Sequence, residues 1–277
     1  DCVCQRTSGN ALYCIELANT MLQRGVLKTY NGVLTLSMPI EELDSGVLPN
    51  SLQAAISTQL DRLTPQCAAC LKAASVMGYI FPAVVLTTLS DDGVPVEQLL
   101  SEALQARLIE KVPTSQAHKW QEFLDSNDDE RSGGVYRFAS QMLVSVAYHS
   151  LRFAERRQKH DKIARWIEAT VKQVYPGNRR EDLDTYFKLW LYQMLAYHWV
   201  STEGEELAAI EYFNLSAKAA MDANMNHEVI KFGKEQVRLL QERSSGAYRI
   251  DPDTQRQAAL VQMMLAEAYL DQGKGHE

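Results

Sequence analysis

No stretch of the 277 residues holds the roughly 20 consecutive apolar side chains that a helical membrane crossing needs. The N-terminal residues also lack the basic, apolar and small-residue order of a secretory signal. Basic side chains are outnumbered, with 28 Lys and Arg against 35 Asp and Glu and a formal charge of −7. Such a chain has no overall positive field for phosphate backbones or anionic lipid, so nucleic acid and membrane surfaces are disfavoured and a protein partner fits better. Cysteine is sparse: Cys2, Cys4, Cys14, Cys67 and Cys70 are odd in number and confined to the first quarter. They do not describe a disulfide framework, and a reducing, cytoplasmic compartment is the simplest implication.

The usual anchors of catalysis are missing as well. No GxxxxGK[ST], GxGxxG, GxSxG or HExxH occurs, which removes the phosphate cradle, the dinucleotide fingerprint, the nucleophile elbow and the helical zinc pair. The six histidines, His118, His149, His160, His198, His227 and His276, are spaced away from one another and from the cysteines, so surface or capping roles are expected for each. Cys67 and Cys70 form a CxxC inside a helix-favouring run, which favours buried packing over redox or metal chemistry. Paired carboxylates such as Glu41-Glu42, Asp91-Asp92, Asp128-Asp129 and Glu205-Glu206 fall in loops or at helix starts, where they suit the helix dipole and solvent. One local basic run, Arg152, Arg156, Arg157, Lys159, His160, Lys162 and Arg165, reads as a solvated face or, alternatively, as a docking surface for an acidic partner or nucleotide phosphates.

What is present is helical spacing. With 46% hydrophobic and 23% charged residues, the chain can build one large domain or two to three small ones. A helix capped by Thr7 or Ser8 and stopped by Gly25 is followed by two β-prone runs, Val26–Tyr30 and Val33–Leu36, around Asn31-Gly32, a hairpin turn pair. Pro49 opens a helix through Leu52, Ile56, Leu60 and Leu63, and Thr64-Pro65 starts the next, which ends near Gly78. Helices from Pro82 to Leu89 and Pro95 to Arg107 follow, then strands at Leu108–Val112 and Val135–Phe138 flanking a polar loop. Three helices, strand, wing and strand form the winged-helix pattern. Its third helix carries Glu97, Glu102 and only Arg107, too few cations and amides to read DNA. From Met142 onward six helices are expected, 142–152, 153–174, 183–200, 205–223, 228–241 and 254–272, whose small and large residues follow a tetratricopeptide-like solenoid.

Several stretches together resemble the lid and winged-helix portion of STAND-type signalling ATPases. Gly9-Asn10-Ala11-Leu12-Tyr13-Cys14-Ile15-Glu16-Leu17 is similar to that family's "GNPL(F/Y)xxEL", and Leu48-Pro49-Asn50-Ser51-Leu52 with Leu60-Asp61-Arg62-Leu63-Thr64-Pro65 to its "LPxSL … xLDRLSP". Ala73–Phe81 resembles "AAVxGxxF", Tyr136–Tyr148 "YxFxHxLxxxxAY", Arg156–Ala164 "RRxxxHxxIA", and Leu195–Trp199 "LAxHW". The wording is closest to the module downstream of the cyclase domains in soluble-adenylyl-cyclase-like proteins.

The resemblance implies a mainly α chain: a helical lid with small hairpin over 1–63, a winged helix over 64–139 and a helical repeat over 140–277. It implies a non-catalytic regulatory region of a multidomain signalling protein, of the soluble adenylyl or guanylyl cyclase type, with a scaffold or adaptor as the alternative. The start at Asp1 and the end at Gly273–Glu277 fit an excerpt of such a protein, whose upstream P-loop and cyclase domains would hold ATP or ADP with Mg. This stretch itself is expected to hold no cofactor and no metal and to meet protein partners through its repeat. The family's lid closes over nucleotide, which makes Gly9, Asn10, Ala11, Leu12 and Ser140 a degenerate half-site. Ala11 replaces the family's proline near the base, and Ser140 replaces its phosphate-contacting histidine, so no charge is left there to read phosphate.

Overall fold

Helices dominate the chain, and two small antiparallel sheets accompany them. The computed structural model describes residues 11–23, 25–30, 33–37, 52–89, 93–124, 133–175, 183–244 and 252–271. The expected cap at Thr7 or Ser8, the Asn31-Gly32 turn and the helix opening at Pro49 lie outside them. The chain divides into two compact units: residues 1–112 with 133–152, and 113–132 with 153–277.

Unit 1 begins with α1 (Ala11–Gln23), which buries Leu17 and Met21. Gly25, at φ +70°, ends it; the Gly25 and Val26 N–H groups donate back to Leu22 O and Met21 O at 3.1 and 2.9 Å, satisfying carbonyls the helix leaves open. Strands β1 (Leu27–Tyr30) and β2 (Val33–Leu36) then pair antiparallel, Tyr30 opposite Val33, as the hairpin reading expects. Helix α2 (Leu52–Leu60) buries Ala55, Ile56 and Leu60.

Helix α3 (Pro65–Met77) is the buried centre of the unit, with Cys67, Cys70, Leu71, Ala73, Ala74 and Val76 all enclosed. Its start follows from the sequence: Pro65 suits the first turn, and the Thr64 hydroxyl oxygen accepts the Cys67 N–H. Thr64 also donates its own N–H and hydroxyl to the two carboxylate oxygens of Glu102, both at 2.7 Å. That carboxylate lies on α5 (Val96–Gln105), so the cap also ties two helices together.

Three strands form the second sheet: β3 (Ile80–Pro82), β4 (Ile109–Lys111) and β5 (Val135–Phe138), in the order β3-β5-β4 and antiparallel throughout. β3 corrects the expected helix start at Pro82, because α4 runs only from Ala83 to Leu89. At an edge strand the missing proline N–H costs no ladder bond. Central β5 buries Val135, Tyr136 and Phe138, and Phe81 stacks on Tyr136 and Phe138 at ring separations of 6.2 and 5.3 Å. Helix α7 (Gln141–Ser150) closes the unit on Leu143 and Ala147.

Unit 2 opens with a helix the sequence reading missed. Within the expected polar loop, a 3₁₀ turn at Thr114–Gln116 leads into α6 (His118–Leu124), which buries Trp120 and Phe123. Seven residues are too few to stand alone as a helix in water. Tertiary contact supplies the missing stability: Trp120 and Phe123 pack edge-on against Trp190 and Trp166 at 5.0 and 5.6 Å, and the Tyr175 hydroxyl donates to Glu122 O at 2.6 Å.

The later helices lie close to their expected spans: α8 (Phe153–Val174), α9 (Thr185–Val200), α10 (Glu206–Asp222), α11 (Asn226–Ser244) and α12 (Pro252–Asp271). Asp184 caps α9, accepting the N–H groups of Tyr186 and Phe187 at 2.9 and 3.1 Å. Small residues on α10, among them Ala209, Ala217 and Ala220, admit close neighbours on both sides. At Gly233 of α11 an added Cβ would stand 2.6 Å from a Leu265 methyl, so a larger residue there would have to displace the Leu265 side chain of α12.

Candidate functional site

Of the five residues expected to form a nucleotide half-site, Gly9 and Asn10 lie outside the described residues. Ala11 is the exposed first residue of α1, and Leu12 follows it in the same helix. Ser140 is the residue around which a cavity is found, about 310 Å³ in volume and walled entirely by unit 1. α1 supplies Leu22, α2 supplies Ile56 and Gln59, the α5–β4 corner supplies Gln105 to Leu108, and Ala139, Ser140 and Leu143 complete the lining.

Ser140 is extended at φ −151° and ψ 154°, and its Oγ accepts the Leu143 N–H at 3.1 Å. The hydroxyl is thus the N-cap of α7, an ordinary structural use for serine. Its place at a helix start also brings the free N–H groups and partial positive charge of that terminus to the cavity wall.

The same cavity is lined by Arg107, a residue the sequence treats only as the last cation on a helix face. It occupies left-handed backbone at φ +58°, the position where helices most often place glycine. Its N–H donates to Leu104 O at 2.9 Å and that of Leu108 to Ala103 O at 3.1 Å. Among the described residues its guanidinium makes no hydrogen bond or ion pair. Helix start and guanidinium together can attract an anion, although no Lys or P-loop amide cradle is among the lining residues.

The two cysteines expected to be packing residues are buried on α3. The Cys67 Sγ–H donates to Leu99 O at 3.3 Å. Burial first, with Glu102 and Cys70 adding to it, pushes the Cys67 thiol up to about 12, so it is an inert thiol rather than a nucleophile. Among the described residues no group of three or more His, Cys, Asp or Glu is arranged to hold a metal.

For His160 and His198 the expected surface or capping role is overturned. Both are fully buried, on α8 and α9, with their Nδ1 atoms 2.9 Å apart. One neutral imidazole must donate to the other. His198 Nε2 is buried without a partner among the described residues, and a stranded N–H is costlier than a stranded lone pair. His198 therefore donates from Nδ1, and His160 accepts at Nδ1. Desolvation, with Arg156 adding to it, lowers His160 to about 4; desolvation, then His160, lowers His198 well below its ordinary value. No local pattern marks this pair, because its members are 38 residues apart.

Compared with known proteins, the chain matches no family model, no curated protein and no solved structure. Among the described residues no helix is long and apolar enough to cross a membrane.

Proposed function

We propose that the chain is the regulatory, non-catalytic region of a multidomain signalling protein of the soluble adenylyl or guanylyl cyclase type. In this reading α1, the hairpin and α2 form the lid, α3 to β5 form a winged helix, and α7 to α12 form a tetratricopeptide-like solenoid for protein partners. The observation that carries it is the cavity at Ser140, where the resemblance places phosphate contact and where lid, winged helix and α7 meet. Arg107 and the start of α7 offer the positive charge that Ser140 lacks, and an upstream P-loop would bring the remainder of the nucleotide site.

A half-site binds weakly. Titration of the chain with Mg·ADP, followed by backbone amide spectra, is expected to shift Arg107, Ser140 and Leu143 with a dissociation constant no tighter than about 1 mM, or roughly −4 kcal/mol. Arg107→Ala is expected to abolish those shifts. Micromolar binding, or shifts confined to other residues, would overturn the assignment.

A scaffold or adaptor is the second reading, and one observation favours it. The Ser140 hydroxyl is already committed to capping α7, which leaves the cavity's key position serving the fold. Absence of any ADP-dependent shift at about 10 mM, some tenfold above the tightest expected constant, selects this reading.

A further inference from the structure

Unit 2 contains a second cavity, also about 310 Å³, between α8, α9 and α10. Its apolar floor includes Val171, Leu191 and Leu195, all buried. Its polar wall is made of Glu168 and Lys172, one turn apart on α8, Tyr192 on α9, and Glu211 with Tyr212 on α10.

Glu168 is held in place. Its Oε1 accepts both the Trp199 indole N–H at 3.1 Å and the Tyr212 hydroxyl at 2.9 Å, while Oε2 has no partner among the described residues. Glu211 is exposed and makes no hydrogen bond or ion pair among them, and the same is true of Lys172. Arg165, the cation one turn before Glu168, is engaged by Asp161 and Glu205 at 2.8 and 3.4 Å. Arg165 still acts on Glu168 through its charge, but among the residues lining the cavity two carboxylates face one ammonium. The Tyr192 and Tyr212 rings, 6.3 Å apart and tilted by 35°, add electron-rich faces beside them.

We infer that this cavity docks an arginine side chain of a partner peptide. The guanidinium meets Glu168 Oε2 and Glu211, and its methylene stem lies on the aliphatic floor. Arginine fits better than lysine because its planar fork matches fixed carboxylates and stacks on aromatic rings. A carboxylate already pinned by two donors gives up little rotamer freedom on binding, which favours a preorganised contact. The volume lies at the small end of ligand pockets, roughly 300 to 1,000 Å³, and suits one side chain rather than a nucleotide. Phosphate is repelled by the same charges. The inference stands apart from the nucleotide reading of unit 1, since it uses none of its residues.

The test uses the whole 277-residue chain and the Trp199 indole N–H resonance, whose acceptor is Glu168. The probe is the peptide acetyl-Leu-Ala-Arg-Ala-Leu-amide, compared with the same peptide carrying citrulline or glutamate at the central position, and with free arginine amide. The arginine peptide is expected to shift the resonance saturably, with the citrulline peptide at least about tenfold weaker for loss of a charge-assisted pair. Glu211→Gln, at an exposed position that leaves the core intact, is expected to weaken binding roughly three- to tenfold, and Lys172→Met to strengthen it about twofold. Equal binding of the citrulline peptide, preference for the glutamate peptide, or no shift at millimolar peptide would each sink the proposal. Free arginine amide binding as tightly as the peptide would also overturn it, by making the cavity a small-molecule site.

Discussion

Unit 1 buries thiols and unit 2 buries imidazoles, and the two choices behave differently toward protons. Cys67 is already neutral near neutral pH, and burial pushes its thiol further up, to about 12, so enclosing it costs no deprotonation. His160 and His198 have ordinary values close to neutrality, and their enclosure holds them neutral against an unfolded chain that takes up protons more readily. The polar groups of the units differ in the same direction. Thr64 and Glu102 satisfy one another in unit 1, whereas unit 2 encloses Gln236 with neither amide atom partnered among the described residues. Acid sensitivity and the room for improvement both concentrate in unit 2.

The largest way to break this comparison is to remove the aromatic anchor of α6. Phe123 is fully buried between Trp120, Trp166 and Trp190, so Phe123→Ala is expected to cost about 3–5 kcal/mol. Denaturant unfolding should show the loss in the transition of unit 2. A loss below about 1 kcal/mol would mean that α6 contributes little to that core.

Acidification comes next. The folded His160 value of about 4 lies below the ordinary 6.5. The contribution is whole above pH 6.5, where neither state is protonated. It is lost as pH falls from there toward 4, because only the unfolded chain binds the proton. Unit 2 is expected to lose about 2–3 kcal/mol between about pH 7.5 and pH 4.5 from this residue. His160→Phe should flatten that slope in denaturation midpoints measured across the range, and an unchanged slope would remove His160 as its source.

Gln236→Leu should sharpen the contrast from the other side. Removing a buried amide with no partners is expected to stabilise unit 2 by about 1–2 kcal/mol, read as a higher denaturant midpoint with an unchanged slope. Destabilisation by a similar amount would reveal a partner for the amide. The smallest effect is expected at Arg107→Gly, where relief of left-handed backbone should stabilise unit 1 by about 1 kcal/mol or less while removing the cation from the cavity. A drop in stability would show that the side chain holds the α5–β4 corner together.

Local chemistry accounts for what the sequence made readable. Strands 27–30 and 33–36 follow from β-prone runs around a turn dipeptide, and α8 to α12 follow from sustained helical spacing. α6 was missed because the fixing partners of Trp120 and Phe123, Trp166 and Trp190, come more than 40 residues later. β3 was missed because three residues ending in proline carry no alternation to read, and their partner strand begins only at Val135. Ser140 was named as a nucleotide contact by resemblance alone, and its N-cap bond to Leu143 went unread. Arg107, lining the same cavity, was hidden because a sequence shows side-chain type but not the sign of φ.

The division into units has a consequence for synthesis. The chain leaves unit 1 after Val112, returns at Gly133 and leaves again after Arg152. The middle strand of the three-stranded sheet, β5, is also its last to be made, so β3 and β4 emerge from the ribosome with no strand between them. Until residues 135–138 arrive, both edges of each are unpaired and exposed to other chains. In the segment translated in between, Trp120 and Phe123 have packing partners, Trp190 and Trp166, in helices not yet made. A pause once Arg152 has emerged gives unit 1 time to close, whereas one that keeps Val135 from emerging holds those edges open.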